Sequence, residues 1–288
     1  MTCEEARAAI RSRQPLLHCI SNVVTSNDCA NLALAVGASP IMAQAPQEMA
    51  EIAALADAVV LNTGTPNEAK FTAARLAGST ANRRGVPVVL DPVGVGASSW
   101  RLAQIRVLLQ QVHPTIVRVN YGEAAALLTS GREVSANATE ETADPVPPDF
   151  AAVEHGVDSL TAPTDAAACA KALAAQLGTV VLLSGEEDLV TDGHTVYTVR
   201  GGSPLMRRVT GAGCMLTSLT GVYCGANPDI LLEAAVTASE VMKHCGETAE
   251  ARVRKEMEGT ASFRTRLIDA VSLLNADELT TNLCLQIL

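Results

Sequence analysis

Short apolar runs alternate with longer stretches of mixed polarity along most of the chain. AVVLN (58–62), VPVVLD (86–91), TIVRVN (115–120) and GTVVLLSG (178–185) are continuous apolar segments of strand length, which is the pattern of strands buried on both faces. Between them lie a helix end running from Ala50 to Ala58, helical composition over Glu68–Arg83 and Trp100–Val112, and an Ala-rich helix over Asp165–Gln176. Strands separated by helices predict right-handed crossovers and a mostly parallel sheet covered on both sides, an α/β fold in three layers. After the Asp192-Gly193 turn, HTVYTVR reads as an antiparallel edge strand. From Gly213 onward the pattern is almost wholly helical, interrupted by an Asn227-Pro228 loop. GREVSANATEETADPVPPDF breaks the rhythm: it is acidic, rich in proline and aperiodic, and predicts a mobile surface loop over 131–152 inside a single domain spanning 1–288.

Composition narrows the function classes. With 48% hydrophobic but only 2% aromatic residues, Ala, Val and Leu must build the core, and base-stacking platforms for nucleic acid are disfavoured. Twenty-one basic against 31 acidic residues give a net charge of −10, which repels a phosphate backbone on average, so any anionic ligand must be held locally. No apolar run reaches the roughly 18 residues a membrane helix needs, and no signal-like segment opens the chain. Neither nucleic acid nor membrane is therefore an expected partner. The eight cysteines are scattered without a Cys-x-x-Cys pair, which points to free thiols in a reducing cytoplasm.

Ligands of an open parallel sheet gather at the carboxyl ends of its strands. Those ends read Asn62-Thr63-Gly64-Thr65, Asp91-Pro92-Val93-Gly94, Asn120-Tyr121-Gly122-Glu123 and Ser184-Gly185-Glu186. Val209-Thr210-Gly211-Ala212-Gly213-Cys214 opens a helix, and bare N–H groups at such a start form a pocket for a phosphate or for the charge of phosphoryl transfer. In that first turn the helix dipole is expected to favour a Cys214 thiolate. A glycine-rich turn that serves only the backbone is the alternative. Asp91 and Glu123 follow apolar strands and suit a hydrated Mg²⁺ beside the phosphate pocket; alternatively Asp91 forms a turn before Pro92 and Glu123 supplies an N-terminal helix charge. Arg118 pairs with a phosphate or with a neighbouring acid. His18 and Cys19 either pack or touch substrate, and Asn22 and Asn27 either bind substrate or cap turns.

In these segments the sequence resembles the hydroxyethylthiazole kinase family of the ribokinase-like superfamily. The resemblance spans nearly the whole chain, through HCISNVVTSNDCANLALAVGASPIMA, LNTGT, VPVVLDPVGVGAS, RVNYGE, HGVDS, DLVTDG, RRVTGAGCML and SFRTRLIDAVSLL. It implies a ribokinase-like three-layer α/β/α fold and ATP-dependent, Mg²⁺-assisted phosphorylation of the hydroxyl of 4-methyl-5-(2-hydroxyethyl)thiazole, in thiamine biosynthesis or salvage. By motif, it implies that Met42, Asn22, Gly211 and Cys214 lie against the thiazole alcohol. Arg118, Ser184, Asn120 and Thr210 would bind ATP, Asp91 and Glu123 would organise magnesium, and Gly211, Ala212, Gly213 and Cys214 would form the catalytic turn. Cys214 stands where most ribokinase-like relatives carry an aspartate base. The resemblance further implies a homotrimer with sites between subunits. The chain departs from the family pattern at Val119, Tyr121 and Gly122, at Ser184 for the usual threonine, at His155 for lysine, and at Gly201-Gly202 for Asn-Gly. A kinase of another small alcohol, a lyase resembling the NAD(P)H-hydrate dehydratases and a non-catalytic metabolite binder are the competing readings; SPIMA speaks against the first and the absence of aspartate at position 214 against the second.

Overall fold

Period-two alternation divides the strands between two cores. In β3 (Ala58–Asn62), Ala58 and Val60 face one core while Val59 and Leu61 face the other; in β5 (Ile116–Val119), Ile116 faces the first and Val117 and Val119 the second. The computed structural model describes residues 3–130, 166–275 and 285–287. The predicted 131–152 loop and the HGVDS segment lie outside the described residues.

Among the described residues one sheet of nine strands runs in the order β2-β1-β3-β4-β5-β6-β7-β8-β9. The strands β1 (Leu16–Ile20), β2 (Ser39–Ile41), β3, β4 (Val88–Asp91), β5 and β6 (Val180–Leu183) pair in parallel, and β7 (Asp188–Thr191), β8 (Val196–Val199) and β9 (Leu285–Ile287) continue the sheet antiparallel. The mostly parallel sheet of the sequence reading is thus present, as is the almost wholly helical stretch after Gly213, with one correction. The HTVYTVR strand is not an edge, because β9 pairs along its outer side. A three-residue strand far from its neighbour carries no local periodicity by which to be read.

Helices cover both faces. On the first lie α1 (Cys3–Arg13), α2 (Ser26–Val36), α8 (Ala212–Ala226), α9 (Leu231–Lys255) and α10 (Thr260–Leu273); on the second lie α3 (Met49–Leu55), α4 (Glu68–Arg84), α5 (Ser99–Gln111), α6 (Tyr121–Ser130) and α7 (Ala166–Leu177). Helix and sheet approach closely at Gly221 of α8, where a Cβ would stand 2.7 Å from Val60 and 2.8 Å from Leu17. Absence of a side chain there lets α8 lie flat on β1 and β3, with Met215, Leu219, Val222 and Tyr223 fully buried. Truncating one such residue as Leu219→Ala costs about 2–5 kcal/mol. This seating aims the N-terminus of α8 at the carboxyl ends of the central strands.

Candidate active site

The same alternation that divides the cores sets the site. Asn62 ends β3 on the Val60 side, Asp91 ends β4 on the Val89 side, Arg118 follows Ile116 on β5 by two residues, and Ser184 follows Leu182 of β6 by two residues. All four therefore face α8. Asn22, two residues beyond β1, is turned inward because its Oδ1 accepts from the backbone N–H groups of Val24 and Thr25, both at 3.1 Å.

These side chains form one continuous polar row. Asn22 Nδ2 donates to Cys214 Sγ at 3.3 Å and to Asn62 Oδ1 at 3.1 Å. Asn62 Nδ2 donates to Asp91 Oδ2 at 2.9 Å, and Thr217 Oγ1 of α8 donates to the same oxygen at 2.8 Å. Asp91 Oδ1 faces Arg118 Nη1 at 3.6 Å, and Arg118 Nη2 donates to Ser184 Oγ. Glu123 closes the row on the far side in a reciprocal capping box at the start of α6: Asn120 N–H donates to Glu123 Oε2 and Glu123 N–H to Asn120 Oδ1, both at 2.8 Å. Its other oxygen accepts from Gly94 N–H at 2.8 Å.

Above the row, α8 begins at Gly211, whose φ of 89° is left-handed backbone that glycine adopts without strain, and no side chain caps the helix. A Cβ at Gly211 would stand 2.5 Å from Thr25, and one at Gly213 would stand 2.6 Å from both terminal nitrogens of Arg118. The two glycines let the turn descend onto the row, so the uncapped N–H groups of Ala212, Gly213 and Cys214 sit over a guanidinium. Dipole and cation here add on one spot and make it anion-binding.

Burial dominates the ionisations. It raises the Asp91 carboxyl against the pull of Arg118, and raises Glu123 to about 7, with Asp91 adding to the effect and Arg118 and two N–H donors opposing it. Burial is the largest single influence on Arg118 and works against the cation, but Asp91, Glu123, Cys214 and Asp188 together outweigh it and hold the guanidinium charged. The Cys214 thiol is pushed up by burial first and by Asp91 second, more than Thr25, Arg118 and Asn62 draw it down. This corrects the expected thiolate: the helix start does favour it, but desolvation and a nearby carboxylate are stronger.

Three comparisons bear on this arrangement. The sequence profile of the hydroxyethylthiazole kinase family matches residues 8–147 and 148–277. A hydroxyethylthiazole kinase of Nitratidesulfovibrio vulgaris is 43% identical over 268 residues, 93% of this chain and 91% of the relative. This chain belongs to the hydroxyethylthiazole kinase family. The solved hydroxyethylthiazole kinase of Pyrococcus horikoshii OT3 superposes with a TM-score of 0.80 at 31% identity, covering 99% of this chain and 98% of that one. A ribokinase-like superfamily protein of Enterococcus faecalis superposes at 0.55 with 11% identity over 91% and 89% of the two chains, a likeness of fold alone. The fold is the ribokinase-like three-layer α/β/α architecture.

For a hydroxyethylthiazole kinase family member, most of the residues singled out from sequence meet in one place. Cys214, Gly211, Ala212, Gly213, Asn22, Asp91, Arg118 and Ser184 share the row or its roof, and Asn120 and Glu123 pair at its end. Met42 follows β2 and packs half-buried on the core that also carries Ala212 and Cys214; Thr210 is exposed at the rim. His18 is buried with Nε2 at 3.1 Å from Ala43 O and its pKa lowered by burial, a packing residue. The sequence reading missed Thr217, Thr25 and Lys70. Thr217 is three positions after Cys214, one helical turn along the same inward face, and that spacing was available as a signal. Lys70 is buried on α4 and donates to Gly64 O; burial lowers its pKa to about 8 despite Cys19, Cys214 and Asp91. Nothing local marked it.

Among the described residues no group of three or more His, Cys, Asp and Glu side chains forms a metal cage. Asp91 and Glu123 nonetheless fit an ion that keeps its own waters, since Asp91 Oδ1 is buried without a hydrogen bond while the remaining carboxylate oxygens already accept from the protein. No helix among the described residues is long and apolar enough to cross a membrane.

Proposed function

We propose that the start of α8 and the polar row beneath it carry the family's reaction, transfer of the γ-phosphoryl group of ATP to the hydroxyl of 4-methyl-5-(2-hydroxyethyl)thiazole. Family membership makes the chain a phosphotransferase with an alcohol acceptor and ATP as co-substrate. The observation that carries the placement is the uncapped turn Gly211–Cys214 lying over Arg118, a preformed cradle for phosphoryl charge.

In this reading the thiazole alcohol lies between Met42, Asn22 and Cys214, and ATP enters along Arg118, Ser184, Asn120 and Thr210. The bond between the alcohol oxygen and the γ-phosphorus forms while the β,γ-bridging oxygen leaves with ADP. In a loose transition state the alcohol proton departs late, onto the transferred phosphoryl group and then to water, so no strong base is required. Cys214 acts as a thiol that orients the hydroxyl, held in turn by Asn22. Asp91 and Glu123 would hold a Mg²⁺, which when bound would supply charge neutralisation for the phosphates. Asn62 and Thr217 keep Asp91 pointed at Arg118.

A homotrimer with sites between subunits belongs to the same proposal; Val23 and Val24, 79% and 58% exposed beside Asn22, are apolar surface available for such an assembly. A reducing cytoplasm suits the six described free cysteines. The test is coupled ADP release by the purified protein with and without the thiazole alcohol, with a pyrimidine alcohol and a sugar in parallel. Release that depends on the thiazole alcohol is expected; release that ignores it, or that prefers the pyrimidine or sugar, contradicts the proposal.

A further inference from the structure

Lys243 belongs to α9 and to none of the motifs above. Its ammonium is buried beneath the turn that follows β6, where Nζ donates to Gly185 O at 3.0 Å and to Glu186 O at 2.7 Å and pairs with Asp188 Oδ1 at 3.1 Å. The three donors of the ammonium are thereby matched by three acceptors, which is the condition for burying such a charge. Asp188 opens β7 and is itself stapled twice more, by Gly185 N–H on Oδ1 at 3.0 Å and by Ser239 Oγ on Oδ2 at 2.8 Å. Ser239 and Lys243 are one turn apart on α9, so a single helix face grips the turn from 184 to 188.

The neighbouring Gly201-Gly202 makes room for this grip. A Cβ at Gly202 would stand 2.7 Å from Lys243 Cδ and one at Gly201 2.5 Å from Glu247 Oε1, while Gly202 N–H donates to that same carboxylate at 2.9 Å. The glycines at 201 and 202 and the α9 side chains of Lys243 and Glu247 are two halves of one packing arrangement.

Gly185 and Glu186 are exposed residues of a surface turn, while the ammonium that takes both of their carbonyls is buried and anchored by Asp188. A buried, anchored cation that holds two successive carbonyls fixes their direction. Ser184, at the head of the turn, accepts from Arg118, and Arg118 underlies the anion-binding start of α8. We propose that Lys243 is a positioning residue for the nucleotide: by holding the Gly185 and Glu186 carbonyls it sets Ser184 and, through it, the angle of Arg118 toward the phosphates. The inference rests on the assignment of this turn to ATP.

The experiment is steady-state kinetics with ATP and the thiazole alcohol varied separately, on the wild type, Lys243→Met and Ser184→Ala. Lys243→Met is expected to raise KM for ATP about tenfold while kcat and KM for the thiazole alcohol stay within about twofold. A fall in kcat with both KM values raised shows a merely structural staple and overturns the inference. An unchanged KM for ATP in Lys243→Met also overturns it; if Ser184→Ala is unchanged as well, the nucleotide assignment of the turn has failed, whereas if Ser184→Ala alone raises KM for ATP, the lysine's role has. Should thermal unfolding show that Lys243→Met does not fold, Lys243→Gln, which keeps a donor, is judged by the same criterion.

Discussion

The guanidinium of Arg118 lies directly against Gly213, so close that a Cβ there would stand 2.6 Å from both of its terminal nitrogens. Gly213 is thus required by what passes beneath it. Gly213→Ala must displace Arg118 or lift the helix start, and a shift of about 1 Å at such a position costs on the order of a hundredfold in rate. The expected result is a loss of that order in kcat/KM for ATP with the protein still folded, measured by ADP release and by far-ultraviolet circular dichroism. Near wild-type kinetics would mean that the anion cradle does not depend on this contact.

Cys214 is expected to behave as a thiol. Because burial and Asp91 raise its pKa, the thiolate fraction at neutral pH is below that of free cysteine. Alkylation of the Cys214 peptide by iodoacetamide, followed by mass spectrometry, should be slower than for free cysteine at about pH 7.5 and should accelerate as pH rises. Cys214→Ala should lower kcat by roughly tenfold or more through lost orientation of the alcohol, and Cys214→Asp should remain active. Fast alkylation at neutral pH, or wild-type turnover in the alanine variant, would contradict the positioning role.

Much of this site was legible because a parallel sheet converts sequence into geometry. The apolar runs VVLD, IVRV and VVLL announce strands, and the polar residues at their ends then have one place to go. What was not legible depends on distances across the fold. The row joining Asn22 to Cys214 links positions 192 residues apart, and no local pattern predicts it. The helix start at Ala212 was visible, but the burial and the Asp91 charge that reverse its effect on the thiol are set by the tertiary fold. Strand β1 hid because His18 and Cys19 sit inside it, and β9 because three residues carry no period. Nothing local marks Lys70 or Lys243, because the carbonyls they hold belong to other elements of the fold.

Thr217→Val tests the support of Asp91. The substitution preserves shape, removes the hydroxyl donated at 2.8 Å, and leaves a buried carboxylate with one donor fewer. Loss of a hydrogen bond to a buried charged group costs about 1–3 kcal/mol, to be read from urea unfolding. Activity should fall as well, since Asp91 is then free to turn from Arg118. A variant as stable and active as the wild type would show that Asp91 needs no support from α8.

Lys70 gives a pH signature. Its amine titrates at the ordinary value of 10.5 in the unfolded chain and at about 8 in the fold, so across that window the unfolded state binds the extra proton. The contribution of this residue to stability is present above the unfolded value and is lost as pH falls through about 8. The unfolding free energy of the wild type minus that of Lys70→Met should therefore increase between about pH 7.5 and about pH 9.5. A difference that stays flat or declines would contradict the buried, desolvated amine.

The central claim is that phosphoryl transfer takes place between the start of α8 and the polar row from Cys214 to Ser184. A crystal structure with the thiazole alcohol and a non-hydrolysable ATP analogue measures this most directly. The account predicts the thiazole beside Met42, its hydroxyl within hydrogen-bonding distance of Cys214 Sγ, and the γ-phosphate on the N–H groups of Ala212, Gly213 and Cys214 above Arg118. A thiazole bound away from Met42 and Cys214, or a γ-phosphate that does not reach the helix start, would contradict it.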